Sequence, residues 1–221
     1  MVSVGILMLD TRFPRPVGDI GHPDTWAAHH LRPLYRVVPG ARPDLIVTRQ
    51  AHTAWLAPFI EAAQALVRDG AQAITTSCGF LARHQTALQS AVPVPVVSSG
   101  LLWCRHLSHP GILTIDAGRL GPLDLQGAMV PSGTPVSGVD TQGEFYGRIM
   151  GNDSHMDLAL AQADVVNAAR TLVREHPLVR HIVLECTNMP PYRDAITAAT
   201  GRTCHDVIEG VALALAGQVK A

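Results

Sequence analysis

Short apolar runs alternate with amphipathic stretches from one end of this 221-residue chain to the other. Residues 4–9 and Leu34-Tyr35-Arg36-Val37-Val38 read as strands, the second stopped by Pro39-Gly40. Residues 55–69 set Trp55, Phe59, Ala63, Leu66 and Val67 at helical spacing before the stop at Gly70. A strand over 72–77 runs into Cys78, a helix follows to about Ala91, and Val94-Pro95-Val96-Val97 and a helix from Gly100 come next. The second half repeats this order. Gly111 to Asp116 matches Gly5 to Asp10, and residues 157–175 form the longest amphipathic helix. A strand over 181–185 runs into Cys186, and helices near 191–200 and 206–217 flank a short segment at Thr203-Cys204.

Strands alternating with helices predict an α/β chain with parallel sheets covered on both faces. The repeated order predicts two pseudo-symmetric three-layer αβα lobes, each with a mainly parallel sheet, and an active-site cleft between them. The first lobe is expected to take residues 1–98 plus a C-terminal helix over about 206–221. The second takes 99–205, with a hinge around 98–110. One continuous sheet would contradict this reading.

The two cysteines stand at matching places in the halves. Thr76-Ser77-Cys78-Gly79 and Glu185-Cys186-Thr187-Asn188 each follow an apolar run and precede a helical stretch. Ligands in open α/β sheets bind at the carboxyl ends of strands, and a helix N-terminus there favours a thiolate. Each cysteine alone is equally read as a small buried hydrophobe; the pairing singles them out. Cys104 and Cys204 have no matching partner and read as core or surface residues. The loop from Asp10 to Pro23 is long for a strand-to-helix connection. Its Arg12 and Arg15 are either solvated or form a clamp for a carboxylate.

Composition narrows the chemistry. Hydrophobic residues at 47% and charged ones at 16% describe a globular chain. A net charge of −1 gives no footprint for nucleic acid or an anionic membrane surface. No apolar run approaches the ~18 residues of a membrane span. The N-terminus reads as a first strand without a signal peptide, so a reducing cytoplasm is the expected location. The lone lysine, Lys220, is next to last, which leaves no internal Schiff-base lysine for pyridoxal phosphate and no Walker loop. No GxGxxG fingerprint is present. Eleven histidines show no HExxH or His-x-His spacing; Cys204-His205-Asp206 reads as a helix start capped by Asp206, and His29-His30 as a solvated connection. No metal and no cofactor are expected.

On these motifs the chain resembles the aspartate/glutamate racemase superfamily, which includes hydantoin racemases, maleate isomerases and arylmalonate decarboxylases. The similarity runs the whole length: two lobes, each with a cysteine after its third strand. Cys186-Thr187 is similar to the family's Cys-Thr signature, and Leu9-Asp10-Thr11 to its Asp-Ser after the first strand. Ser77-Cys78-Gly79 departs from the Cys-Asn-Thr of amino-acid racemases, and Asn188 stands where glutamate racemases carry a histidine. The resemblance implies cofactor-independent proton transfer at a carbon beside a carboxylate. One of Cys78 and Cys186 removes the proton and the other donates one to the opposite face. It implies substrate contacts from Asp10, Thr11, Arg12, Arg15, Ser77, Thr187, Asn188 and the backbone at Gly79. It also implies a homo-oligomer, a dimer, acting on a small-molecule carboxylate. Two further readings stand beside the racemase or isomerase: a decarboxylase or cis–trans isomerase using one cysteine, and a catalytically silent carboxylate-binding protein.

Overall fold

The computed structural model describes residues 1–50 and 53–217. The first half runs β1 (Val2–Met8), α1 (Pro23–Ala27), β2 (Leu31–Val37), α2 (Pro43–Ile46), α3 (Leu56–Arg68), β3 (Ala73–Thr76), α4 (Gln85–Ala91) and β4 (Val96–Val97). The second half runs β5 (Pro110–Thr114), α5 (Pro122–Gly127), β6 (Val136–Gly138), α6 (Glu144–Met150), α7 (Leu158–Glu175), β7 (His181–Leu184), α8 (Arg193–Thr200), β8 (Thr203–His205) and α9 (Val207–Leu215). The last residues of the expected helix over 206–221, from 218 onward, lie outside the described residues.

The strands form two separate four-stranded sheets, ordered β2-β1-β3-β4 and β6-β5-β7-β8. All pairings are parallel. The two orders are the same pattern, so the two halves are copies of one architecture. Central strands are buried on both faces, which is why they read as unbroken apolar runs; every residue of β3 and β5 is buried. The register carries the equivalence down to single residues. Ser77 N–H donates to Leu7 O at 2.9 Å, and Glu185 N–H donates to Leu113 O at 2.9 Å. Ser77 and Glu185 therefore hold equivalent positions, and so do Cys78 and Cys186.

Helix α3 turns Phe59, Ala63 and Leu66 inward, and α7 turns Ala161, Val165, Ala169 and Leu172 inward. Asp157 caps α7 and Asp206 caps α9, each accepting two backbone N–H groups; Cys204-His205-Asp206 is indeed a helix start. Helix α9 packs back on β3 and β4 of the first sheet. The helices expected after Cys78 and from Gly100 begin instead as 3-10 turns, Gly79–His84 and Gly100–His106. Both start on a glycine pressed against the second sheet. A Cβ on Gly79 would lie 2.2 Å from Glu185 O, and one on Gly100 would lie 2.4 Å from Leu184 O. The four short helices α1, α2, α5 and α6 and strand β6 were not expected from the sequence.

Candidate active site

The ends of β3 and β7 meet between the lobes, and Thr187 Oγ1 donates to Ser77 O at 2.8 Å to tie one cysteine motif to the other. There they enclose a narrow cavity of about 20 Å³, little more than one water molecule wide. Cys78, Gly79 and Ser77 line one side, and Glu185, Cys186, Thr187 and Asn188 the other. Leu9, Phe13, Pro43, Val47, Phe80, Ile115 and Ile149 complete an apolar wall. No lysine, arginine or histidine lines it among the described residues. Nor do three His, Cys, Asp or Glu side chains converge among those residues as metal ligands would.

The two thiols share the cavity but not their partners. The Cys186 thiol donates to Asn188 Oδ1 at 3.6 Å. The Asn188 amide donates through Nδ2 to Asp19 Oδ2 at 2.7 Å. Asp19 Oδ1 in turn accepts from Arg15 Nη1 and from Gly21 N–H, both at 2.7 Å. This chain holds the amide oxygen toward sulfur and so favours the protonated thiol of Cys186. Each sulfur also has a backbone N–H aimed at it, from Phe80 for Cys78 and from Asn188 for Cys186, which favours the thiolate of both; the amide oxygen that holds a proton on sulfur is found at Cys186 alone among the described residues. Burial pushes both thiols up from their ordinary range, and the nearby Glu185 carboxylate adds to this. Arg83, outside the wall, offsets only a small part of that rise for Cys78, in contrast to the ionised thiol the sequence pattern suggests.

Glu185 is the residue that reading the sequence missed. It is fully buried. Oε2 accepts from Thr114 Oγ1 at 2.6 Å, while Oε1 has no partner. Burial pushes its carboxyl up to about 8, against opposing hydrogen bonds from Thr114 and the Ile115 N–H. A glutamate closing an apolar strand run is itself a signal, because a buried acid needs a reason.

The expected substrate contacts divide. Ser77, Gly79, Thr187 and Asn188 line the cavity with the thiols. Asp10, Thr11, Arg12 and Arg15 do not. Asp10 is exposed and its carboxylate accepts from Gly40 N–H at 3.0 Å. Arg12 is exposed. Arg15 is consumed inside its own loop: its guanidinium binds Asp19, donates to Thr11 Oγ1 at 2.8 Å and lies 4.6 Å from the Phe13 ring centre. The carboxylate clamp expected of the two arginines is thus not built at the cavity wall. The loop contributes Phe13 to the wall and Asp19 to the Asn188 amide instead.

Two solved structures resemble this arrangement. An allantoin racemase from Pseudomonas fluorescens superposes with a TM-score of 0.64 at 16% identity, covering 98% of this chain and 90% of that one. An arylmalonate decarboxylase superposes with a TM-score of 0.63 at 15% identity, covering 97% and 92%. The two-lobe parallel α/β fold is the one these two structures share with this chain. No family model matches the sequence. Curated relatives do: dimethylsulfoniopropionate lyases 6 and 7 of Emiliania huxleyi (strain CCMP1516) are each 28% identical over 93% of this chain. The chain spans 57% and 64% of their lengths, about three fifths. These relatives and structural neighbours are enzymes. No helix among the described residues is long and apolar enough to cross a membrane.

Proposed function

We propose that the chain is a lyase for a small carboxylate of the dimethylsulfoniopropionate type, opening the reaction by removing the proton next to the carboxylate with a cysteine thiolate. The observation that carries this reading is the cavity itself: two buried thiols and a buried acid, with no cationic side chain in the wall. A thiolate in such a place needs a positive charge, and a sulfonium substrate brings its own. Two unit charges about 4 Å apart attract by roughly 4 kcal/mol at the effective dielectric of a protein site. Phe13 and Phe80 give the wall an aromatic lining, and the Arg15 guanidinium 4.6 Å from the Phe13 ring centre shows that ring already serving a cation. The sequence kinship to dimethylsulfoniopropionate lyases supports the same substrate class.

Cys78 is the base, since Cys186 is held as a thiol by Asn188. The Cys78 thiolate takes the proton from the carbon beside the carboxylate. The electron pair of that C–H bond becomes the carbon–carbon double bond. The bond to sulfur breaks with its pair, releasing neutral dimethyl sulfide and leaving acrylate. The proton on Cys78 then passes to water. No cofactor takes part.

A racemase or isomerase working by two-cysteine proton transfer is the second reading. The equivalent placement of Cys78 and Cys186 on one cavity favours it. The lobes differ at the neighbouring position, Ser77 against Glu185, and that asymmetry supports a reaction run in one direction.

The test is purified protein with dimethylsulfoniopropionate, reading dimethyl sulfide in the headspace and acrylate in solution. Release is expected, with a loss of at least about 10³-fold in Cys78→Ala, a typical scale for removing a catalytic base. Absence of both products, together with deuterium-labelled inversion of a chiral carboxylate in D₂O, decides for the racemase.

A further inference from the structure

Glu185 is placed as no other group in the cavity is. Its two oxygens live in different surroundings. Oε2 is occupied by the Thr114 hydroxyl at 2.6 Å, while Oε1 is buried, without a partner, and lies against Gly79. A Cβ on Gly79 would come 2.2 Å from Oε1, so glycine there is what leaves this oxygen its place. An unpartnered polar atom at this depth destabilises the fold unless something binds it. The substrate class proposed above carries a carboxylate, and the wall holds no arginine, lysine or histidine among the described residues to receive it.

We propose that Glu185 receives the substrate carboxylate as a neutral carboxylic acid, donating a hydrogen bond from Oε1–H to a carboxylate oxygen. This rests on the α-proton reading of the site and names the group that binds and stabilises its anion. Because Oε2 already accepts, the proton resides on Oε1, the oxygen that lies beside Gly79 in the cavity lining. As the α-proton leaves, negative charge grows on the carboxylate oxygens and this hydrogen bond strengthens. A neutral acid also spares the neighbouring thiolate a second negative charge. Ser77, the equivalent residue of the other lobe, accepts from Leu9 N–H at 2.8 Å through its hydroxyl oxygen, which leaves its O–H to donate beside Glu185 rather than in its place.

The groups facing Glu185 agree. Thr114 and the Ile115 N–H come from β5 and its end, and the thiols of Cys78 and Cys186 flank it. Asp124 of α5 disfavours its ionisation, and Arg83 of the neighbouring 3-10 turn favours it. Burial outweighs both hydrogen bonds and Arg83, so the carboxyl titrates near 8 and is protonated at neutral pH.

The experiment is calorimetric binding of propionate, a carboxylate without a leaving group, at pH 7 and pH 9. Propionate is fully ionised at both, so any change belongs to the protein. Wild type should bind about tenfold more weakly at pH 9, because the protonated fraction falls tenfold above a pKa near 8. Glu185→Gln keeps an N–H donor in place and should bind equally at both values; Glu185→Leu, with no donor, should bind at least about tenfold more weakly than wild type at pH 7. Infrared spectra should show a protonated-carboxylic-acid carbonyl band at pH 7 that Glu185→Gln lacks. Equal wild-type affinity at the two pH values overturns the role of Glu185 and leaves the α-proton reading standing. No propionate binding in wild type at pH 7 overturns the role of Glu185 as well, while the α-proton reading stands or falls separately with dimethyl sulfide release from dimethylsulfoniopropionate.

Discussion

Asn188 makes two hydrogen bonds in opposite senses, and one carboxylate decides which end of the amide faces sulfur. Asp19 can only accept, so Nδ2 turns toward it at 2.7 Å and Oδ1 is left for the Cys186 thiol. Arg15 holds Asp19 in turn at 2.7 Å. The thiol is thereby kept as a donor. Asp19→Ala frees the amide to flip, which puts an N–H donor on sulfur and favours the thiolate. A hydrogen bond to a charged group contributes roughly 1.5–3 kcal/mol, so alkylation of Cys186 by iodoacetamide at pH 7 should accelerate by about tenfold or more. Mass spectrometry of Cys186 peptides reads this directly, and an unchanged rate argues that the amide does not set its protonation. The cysteines themselves were legible in the sequence, because each closed an apolar run at a matching position. The arginines misled, since a loop arginine and a clamp look alike until Asp19, four residues past Arg15, is seen to take the guanidinium.

Among the elements, the 3-10 turn Gly79–His84 does two tasks at once. Its first residue lets Glu185 approach, and near its end Arg83 reaches across to the second lobe. Arg83 Nε and Nη2 bind both oxygens of Asp124 on α5, at 2.7 and 2.8 Å. Nη1 and Nη2 also donate to Gln50 O and Thr48 O, and Arg119 Nη1 donates to Val47 O at 3.0 Å. The segment carrying Pro43 and Val47, two cavity-lining residues, is thus pinned by an arginine from each lobe. Asp124 is wholly buried, so removing its partner is severe: a broken buried pair costs roughly 3–5 kcal/mol. Arg83→Ala should lower Tm by about 10 °C in calorimetry, at roughly 2–4 °C per kcal/mol for a chain this size. Replacing the pair together, Arg83→Met with Asp124→Leu, should recover most of that; a single mutant as stable as wild type would show the pair to be structurally idle. None of this was legible, because nothing in sequence marks Arg83 and Asp124 as partners. The inner strands were legible for the opposite reason, since burial on both faces demands unbroken apolar runs. The edge strand β6 is three residues without such a run, and β2 starts earlier than its apolar core, at Leu31, running through Pro33, which an edge strand tolerates.

At the scale of the whole molecule, the fold closes a cavity with a protonatable acid at its centre, and stability must register this. Glu185 titrates near 4.5 in an unfolded chain and near 8 in the folded one. Its folded pKa is raised, so the folded state holds one more proton between those values. Stability from this group is full below about pH 4.5 and drains away as pH rises toward 8, at about 1.4 kcal/mol per pH unit. The buried thiols are pushed up as well, and their corresponding loss lies at higher pH than this window. His84 and His181, lowered by burial, act in the opposite sense below about 6.5, where the folded state resists protonating them. These histidines are unchanged by a substitution at Glu185, so the difference between wild type and Glu185→Gln isolates the acid. Measured by urea unfolding from pH 5 to pH 8, wild type should lose several kcal/mol relative to Glu185→Gln across the series. Parallel curves for the two proteins would mean that Glu185 ionises as freely in the folded cavity as in water, and the neutral acid would have to be abandoned.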